Sequence, residues 1–168
     1  LSDPEFLAED AASVAATIDR LACLHPVSYD CGDENSLTDI HLSIINELRI
    51  GGAIIVSTPQ QVAVADVVRG VEMFRNPNVN IPVLGVVENM AWFTPAELPN
   101  NRYYIFGKGG AARYAKEVGV DLLGEVPIIQ DIMQGADDGV PAVNTVPQVA
   151  EVYQQVAKKV VDKMEEMC

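Results

Sequence analysis

The amino-acid sequence predicts an α/β protein: an open, mainly parallel sheet with helices on both faces. Short, nearly continuous apolar runs at residues 52–57, 82–87 and 122–126 have the character of strands buried on both faces. Between them, apolar residues recur every three and four positions, which is the helical period. Strands alternating with helices of this length pair in parallel through right-handed crossovers, and the crossovers cover the sheet. The 168 residues are 49% hydrophobic and 21% charged, without an internal repeat, linker or low-complexity tract, so residues 1–168 are expected to form a single domain.

The elements follow in order. Ser2-Asp3-Pro4-Glu5 is a helix start, with an N-cap residue, a proline in the first turn and a carboxylate placed to reach back. Leu7, Ala11, Val14, Ile18 and Leu21 carry that helix to about Ala22, and His25-Pro26 ends it. Residues 27–31 read as a short strand and residues 32–36 as a polar loop, after which Asp39 heads a helix with Ile40, Ile44, Ile45 and Leu48 on its apolar side. The strand at 52–57 leads through Thr58-Pro59 into a helix bearing Val64, Val67, Val68, Val71 and Phe74, which Asn76-Pro77-Asn78 breaks. After the strand at 82–87, residues 88–106 read as a loop rich in proline, asparagine and aromatics. A helix over about 110–118, a strand at 122–126 and a short helix after Pro127 come next. A final helix from about Pro147 is expected to bury Val149, Val152, Val156, Val160 and Met164.

In open α/β sheets, ligands bind beyond the carboxyl ends of the strands. That rule selects the loop after Asp30, Thr58-Pro59-Gln60, Glu88-Asn89-Met90 and Pro127-Ile128, and it points to a small-molecule site. Eleven basic against twenty-four acidic residues, 11 and 24, give a formal net charge of −13, which disfavours nucleic acid and anionic membrane surfaces. Cys23, Cys31 and Cys168 form neither a zinc knuckle nor a CxxC pair and read as free thiols of a reducing compartment. No apolar run approaches the ~20 residues that span a bilayer, and the first residues lack the features of a signal peptide, so the expected location is cytoplasmic. His25 and His41 suit surface or cap positions, and Asp66 with Arg69 suits a solvated ion pair on a helix. No metal site is assigned, and no constellation for a serine, cysteine or zinc hydrolase is present.

The strand ends carry a resemblance. Thr38–Leu42, Gly52–Gln60 and Val83–Met90, followed by Ile105–Gly110, Leu123–Pro127 and Gly135–Pro141, are similar in order and spacing to the Mrp family of iron–sulfur cluster carrier ATPases, relatives of MinD and ParA. The match spans about residues 38–141, with a looser fit in the C-terminal helix and residues 1–37 outside it. The resemblance implies the C-terminal part of a P-loop NTPase-like domain, a homodimer, bound ATP and magnesium, a 4Fe–4S cluster as cargo, and an apoprotein client. It places Asn89 where an amide reads the adenine edge and Pro127 where a flat apolar ring packs on the base; a loop cap and a strand terminator are the plainer readings of the two. It makes Asp39 a candidate catalytic group on the magnesium side, helix N-cap being the other reading.

The chain also departs from the family pattern. GxxxxGK[ST] occurs nowhere; Gly107-Lys108-Gly109-Gly110 lacks the following Ser/Thr and reads as a helix-entry turn. Where the family has Asp-x-Pro-Pro-Gly-Thr-Gly-Asp, residues 29–39 contain neither proline. The loop after Met90 contains no cysteine, although clusters are held by thiolates. Three functions therefore stand side by side: a piece of an ATP-dependent cluster carrier, a MinD-like dimerising switch without a cluster, and an interaction module that keeps only the sheet. The missing phosphate loop leaves open whether the chain is an enzyme, and the expectation is that it does not hydrolyse ATP by itself.

Overall fold

The computed structural model describes residues 50–167. The expected elements at 2–22, 27–31 and 39–48 lie outside the described residues, together with Asp39, both histidines and all three cysteines. From Ala53 the order is β1 (Ala53–Ser57), α1 (Gln61–Arg75), β2 (Val83–Phe93), α2 (Gly110–Glu117), β3 (Leu122–Ile128), α3 (Gln130–Asp137), a 3-10 turn (Ala142–Asn144) and α4 (Pro147–Glu166). The strands form a parallel sheet in the order β1-β2-β3, as the alternation of apolar runs and helical stretches requires.

Helices cover both faces. On one side Val67 and Val71 of α1 and Tyr114 of α2 pack with Ile55, while Ala111 and Ala115 close over Val86. On the other, Val149, Tyr153, Val156, Ala157 and Val160 of α4 form a stripe at three- and four-residue spacing against Leu84, Val87, Leu123 and Val126. Leu84 and Val87 share that face although three positions apart. The reason is a bulge: Ala53 pairs with Val83 and Ile54 with Gly85, which leaves Leu84 as the extra residue and resets the alternation. Gly124 is required under α4, since a Cβ there would sit 2.5 Å from Val156 Cγ2.

Some expectations need correction. Residues 88–93 are not loop: β2 runs on to Phe93, with Glu88 and Asn89 paired to Glu125 and Val126. Ladder bonds from β3 hold this polar stretch extended, and they are invisible in local composition. Pro127 does not end its strand but lies within β3, which is an edge of the sheet among the described residues, where a missing N–H is tolerated. Met164 is 42% exposed, and the large side chain buried by α4 is Tyr153. The short turn at Ala142–Asn144, whose Ala142 joins the α4 core, was not foreseen.

Candidate functional site

The carboxyl ends of β1 and β2 meet the turn that enters α2. Glu88 closes the apolar run of β2, and its side chain is 1% exposed on the α2 side of the sheet. Its Oε2 accepts from the N–H groups of Ala111 (2.8 Å) and Ala112 (3.3 Å), and its Oε1 from Gly109 N–H (3.2 Å). The carboxylate thus fills the positive end of α2, whose N-cap residue, Gly109, has no side chain to do so. Gly107 and Gly109 have φ of 95° and 64°, and a Cβ on Gly110 would lie 2.0 Å from the Pro59 carbonyl oxygen. The Gly107–Gly110 segment is therefore a helix-entry turn pressed against Pro59, and the N–H groups that a phosphate would need are already taken by Glu88. Beside it, Ser57 Oγ donates to the Thr58 carbonyl (3.0 Å), and the buried Thr58 Oγ1 finds no partner among the described residues.

Asn89 and Pro127 come from neighbouring strands. Asn89 pairs with Val126, so it stands one register position from Pro127. Its Oδ1 accepts the Met90 N–H at 2.9 Å, which leaves a second lone pair and the amide hydrogens for another partner. Met90 has φ of 56°, and the β2–β3 register becomes irregular between Asn89 and Phe93. A left-handed methionine costs about 1–3 kcal/mol, a strain of the kind that gathers at functional sites. Pro127 lines a hollow of about 250 Å³ with Trp92, Pro95, Pro99, Ile129 and Gln148. Asn89 does not line it.

Beyond Met90 the chain forms a pinned ribbon. Phe93 and Tyr103 exchange both backbone hydrogen bonds at 2.8 Å in an antiparallel bridge. The Arg102 guanidinium lies 4.2 Å from the centre of the Trp92 ring, and the Lys108 ammonium 4.8 Å from that of Tyr104. A larger hollow, about 370 Å³, lies at the opposite pole of the sheet between Asp121, Leu122, Lys159 and Lys163. Asp162 and Glu166 also line it; Lys163 pairs with Asp121, holding that carboxyl below its usual range, and Lys159 Nζ donates to the Leu122 carbonyl at 3.2 Å. The strand-end rule favours the smaller hollow.

The sequence singled out Asn89 and Pro127 by resemblance, placed Glu88 in a strand-end turn without its role at the start of α2, and did not single out Trp92 or Arg102. The available signal for Glu88 was a carboxylate directly after a buried apolar run, upstream of a glycine turn that lacks a capping side chain. The fit to cofactors is uneven. The strand ends suit a base, which needs a flat apolar wall and an amide. The described residues offer no phosphate cradle, and residues 50–167 contain no cysteine to ligate a cluster. Among the described residues, no group of three or more His, Cys, Asp or Glu converges as metal ligands, and no helix is long and apolar enough to cross a membrane.

Comparison with known proteins bears on the family and the fold. The family model described as the NUBPL iron-transfer P-loop NTPase, of the ParA group, matches residues 36–162. An Arabidopsis thaliana protein described as a mitochondrial iron–sulfur protein required for NADH dehydrogenase is 44% identical over 131 residues, 77% of this chain and 41% of its own length. An iron–sulfur cluster carrier protein of Aquifex aeolicus is 43% identical over 123 residues, 71% of this chain and 33% of its own length. The chain thus spans between 33% and 41% of the length of these relatives. Among solved structures, a nucleotide-binding protein of Archaeoglobus fulgidus in complex with ADP superposes with a TM-score of 0.53 at 35% identity, covering 60% of this chain and 40% of that one.

Proposed function

The chain belongs to the ParA/NUBPL family of iron-transfer P-loop NTPases, and from that membership we propose that it serves in a nucleotide-dependent iron–sulfur cluster carrier, contributing the base side of the nucleotide site. The observation that supports the reading is the pairing of Asn89 with Val126, which brings Asn89 to within one register position of Pro127 at the carboxyl side of the sheet. When bound, the nucleotide supplies phosphoryl-transfer chemistry. The residues of this chain hold its base: Asn89 offers one donor and one acceptor, and Pro127 a flat apolar wall. Asp39 is the proposed group on the magnesium side, a homodimer the proposed working form, and the cytoplasm the proposed location. An apoprotein receives the cluster.

Because GxxxxGK[ST] is absent and Glu88 caps α2, phosphates gain little here. Adenosine and ADP should therefore bind this chain with affinities within about threefold of each other, and Asn89→Ala should weaken both about tenfold, the worth of a hydrogen bond of ~1.4 kcal/mol. The single tryptophan, Trp92, lines the hollow beside Pro127 and reports the titration. The purified chain should not hydrolyse ATP; magnesium-dependent turnover that Asn89→Ala abolishes would overturn this reading.

The cysteine-free stretch from 50 to 167 favours a second reading, a dimerising switch of the same family that carries no cluster. Anaerobic reconstitution with iron and sulfide separates the two. The switch requires no stable cluster and an iron content indifferent to replacing Cys23, Cys31 or Cys168 by serine. A stoichiometric cluster lost in Cys31→Ser favours the carrier.

A further inference from the structure

Among the described residues Glu88 is the one buried charged side chain, and no ion pair includes it; the pairs formed there are Arg69–Asp66 and Lys163–Asp121. Taking a carboxylate out of water is costly, and capping α2 does not require it. An asparagine in place of Gly109 tolerates the left-handed backbone, and a Cβ there meets nothing within 4 Å. Such a side chain would offer the first N–H groups of α2 an acceptor from within the helix. Glu88 instead reaches them across 21 to 24 positions of sequence. What the long reach adds is a mechanical link between β2 and the turn into α2.

The place of that link along β2 gives it a use. Glu88 pairs with Ser57 on one side and Glu125 on the other, and it is the last residue of β2 paired with both neighbouring strands. Asn89 pairs with Val126 alone, Met90 turns to a φ of 56°, and pairing resumes only at Phe93 opposite Ile128. The Asn89 amide therefore stands one residue beyond the last doubly held point, with irregular backbone after it. We propose that Glu88 is a positioning residue for Asn89: by clamping the end of β2 to the turn at Gly109–Ala112, it fixes where that amide stands. The turn is itself seated, since Gly110 is pressed against the Pro59 carbonyl at the end of β1. Successive side chains of a strand point to opposite faces, so Glu88 acts through the backbone and not on a ligand held by Asn89. The inference rests on the nucleotide reading for the identity of that ligand; the placing of the amide is a property of the chain with or without it.

The test is a double-mutant cycle read by adenosine titration of the full chain, with Trp92 emission as the signal. Glu88→Gln keeps the size of the side chain and one acceptor and removes the charge. Affinity should fall about threefold or more in Glu88→Gln, and no further when Glu88→Gln is added to Asn89→Ala, because both changes act through one amide. Hydrogen exchange gives a reading that needs no ligand. Met90 N–H, which donates to Asn89 Oδ1, should speed up in Glu88→Gln by more than the N–H groups of the buried Val86 and Val87, which report the global loss of stability. Circular dichroism checks that the variant is folded; if it is not, Glu88→Asp, which keeps the charge on a shorter reach, is read by the same criteria. Should the parent bind no adenosine, the nucleotide reading fails and exchange at Met90 alone decides the positioning role. Where the parent does bind, a smaller loss in Glu88→Gln, or one repeated in full on top of Asn89→Ala, overturns the positioning role and leaves the nucleotide reading in place. An acceleration at Met90 no greater than that at Val86 and Val87 overturns it as well, because Glu88 then serves stability alone.

Discussion

A carboxylate that is 1% exposed has lost nearly all of its water, and at Glu88 three backbone N–H groups at the start of α2 replace it. Hydrogen bonds to a charged group contribute about 1.5–3 kcal/mol each before the lost partners are counted. Glu88→Ala should therefore lower stability by about 3 kcal/mol in urea unfolding, and Glu88→Gln by less, because one oxygen remains to accept. A loss below ~0.5 kcal/mol in Glu88→Ala would mean that water or another group caps α2. Gly110 is as restrictive for a different reason. An added Cβ would lie 2.0 Å from the Pro59 carbonyl oxygen, and backbone on both sides has to move. Gly110→Ala should cost about 1–3 kcal/mol by overpacking, read as a lower urea midpoint with an unchanged slope.

The elements were legible in proportion to how locally they are determined. The helix α1 follows from its valine spacing and its stop at Asn76-Pro77, where Asn78 N–H donates to Asn76 Oδ1 at 3.0 Å and fixes the turn. The buried runs of β1 and β3, and the first half of β2, follow from apolar content alone. The second half of β2 does not, because Glu88 and Asn89 are turn-like by composition and become strand only when Glu125 and Val126 of β3 pair with them, while Ile128 and Tyr103 hold Phe93. The candidate site shows the same division: Asn89 and Pro127 stand at strand ends that the chain order marks, whereas Glu88 acts on residues more than twenty positions away. At the amino end of β3, Lys163 ties α4 to Asp121. Asp121 has its pKa lowered in the folded state, chiefly by the hydrogen bond from Lys163, so the tether contributes above the unfolded value near 3.8 and is lost as pH falls through the folded value. The pair is largely solvated on the Asp121 side. Lys163→Ala should thus cost less than about 1 kcal/mol at pH 7, and the difference from the parent should vanish in strongly acidic buffer.

For the molecule as a whole, the sheet separates two poles. Thr58, Glu88, Asn89 and Pro127 gather at the carboxyl ends of the strands, and the Asp121–Lys163 pair with Lys159 on the Leu122 carbonyl at the amino end of β3. The α4 core joins them through Leu123, Tyr153 and Val156, all of which are fully buried. Leu123→Ala should cost about 2–5 kcal/mol as one cooperative transition. Fluorescence from Trp92 and far-ultraviolet circular dichroism should then report the same midpoint; separate midpoints would show that the two poles unfold independently. The Phe93–Tyr103 bridge gives the molecule a further property. Its paired hydrogen bonds fix the mouth of the intervening segment, so that, apart from the stretch through Pro99 that walls the hollow beside Pro127, its length is set independently of the strands. Doubling such a loop adds only about 0.6 kcal/mol of closure entropy, which makes the exposed tip at Asn100 and Asn101 a place where the fold can accept a grafted peptide while the strand ends below keep their geometry.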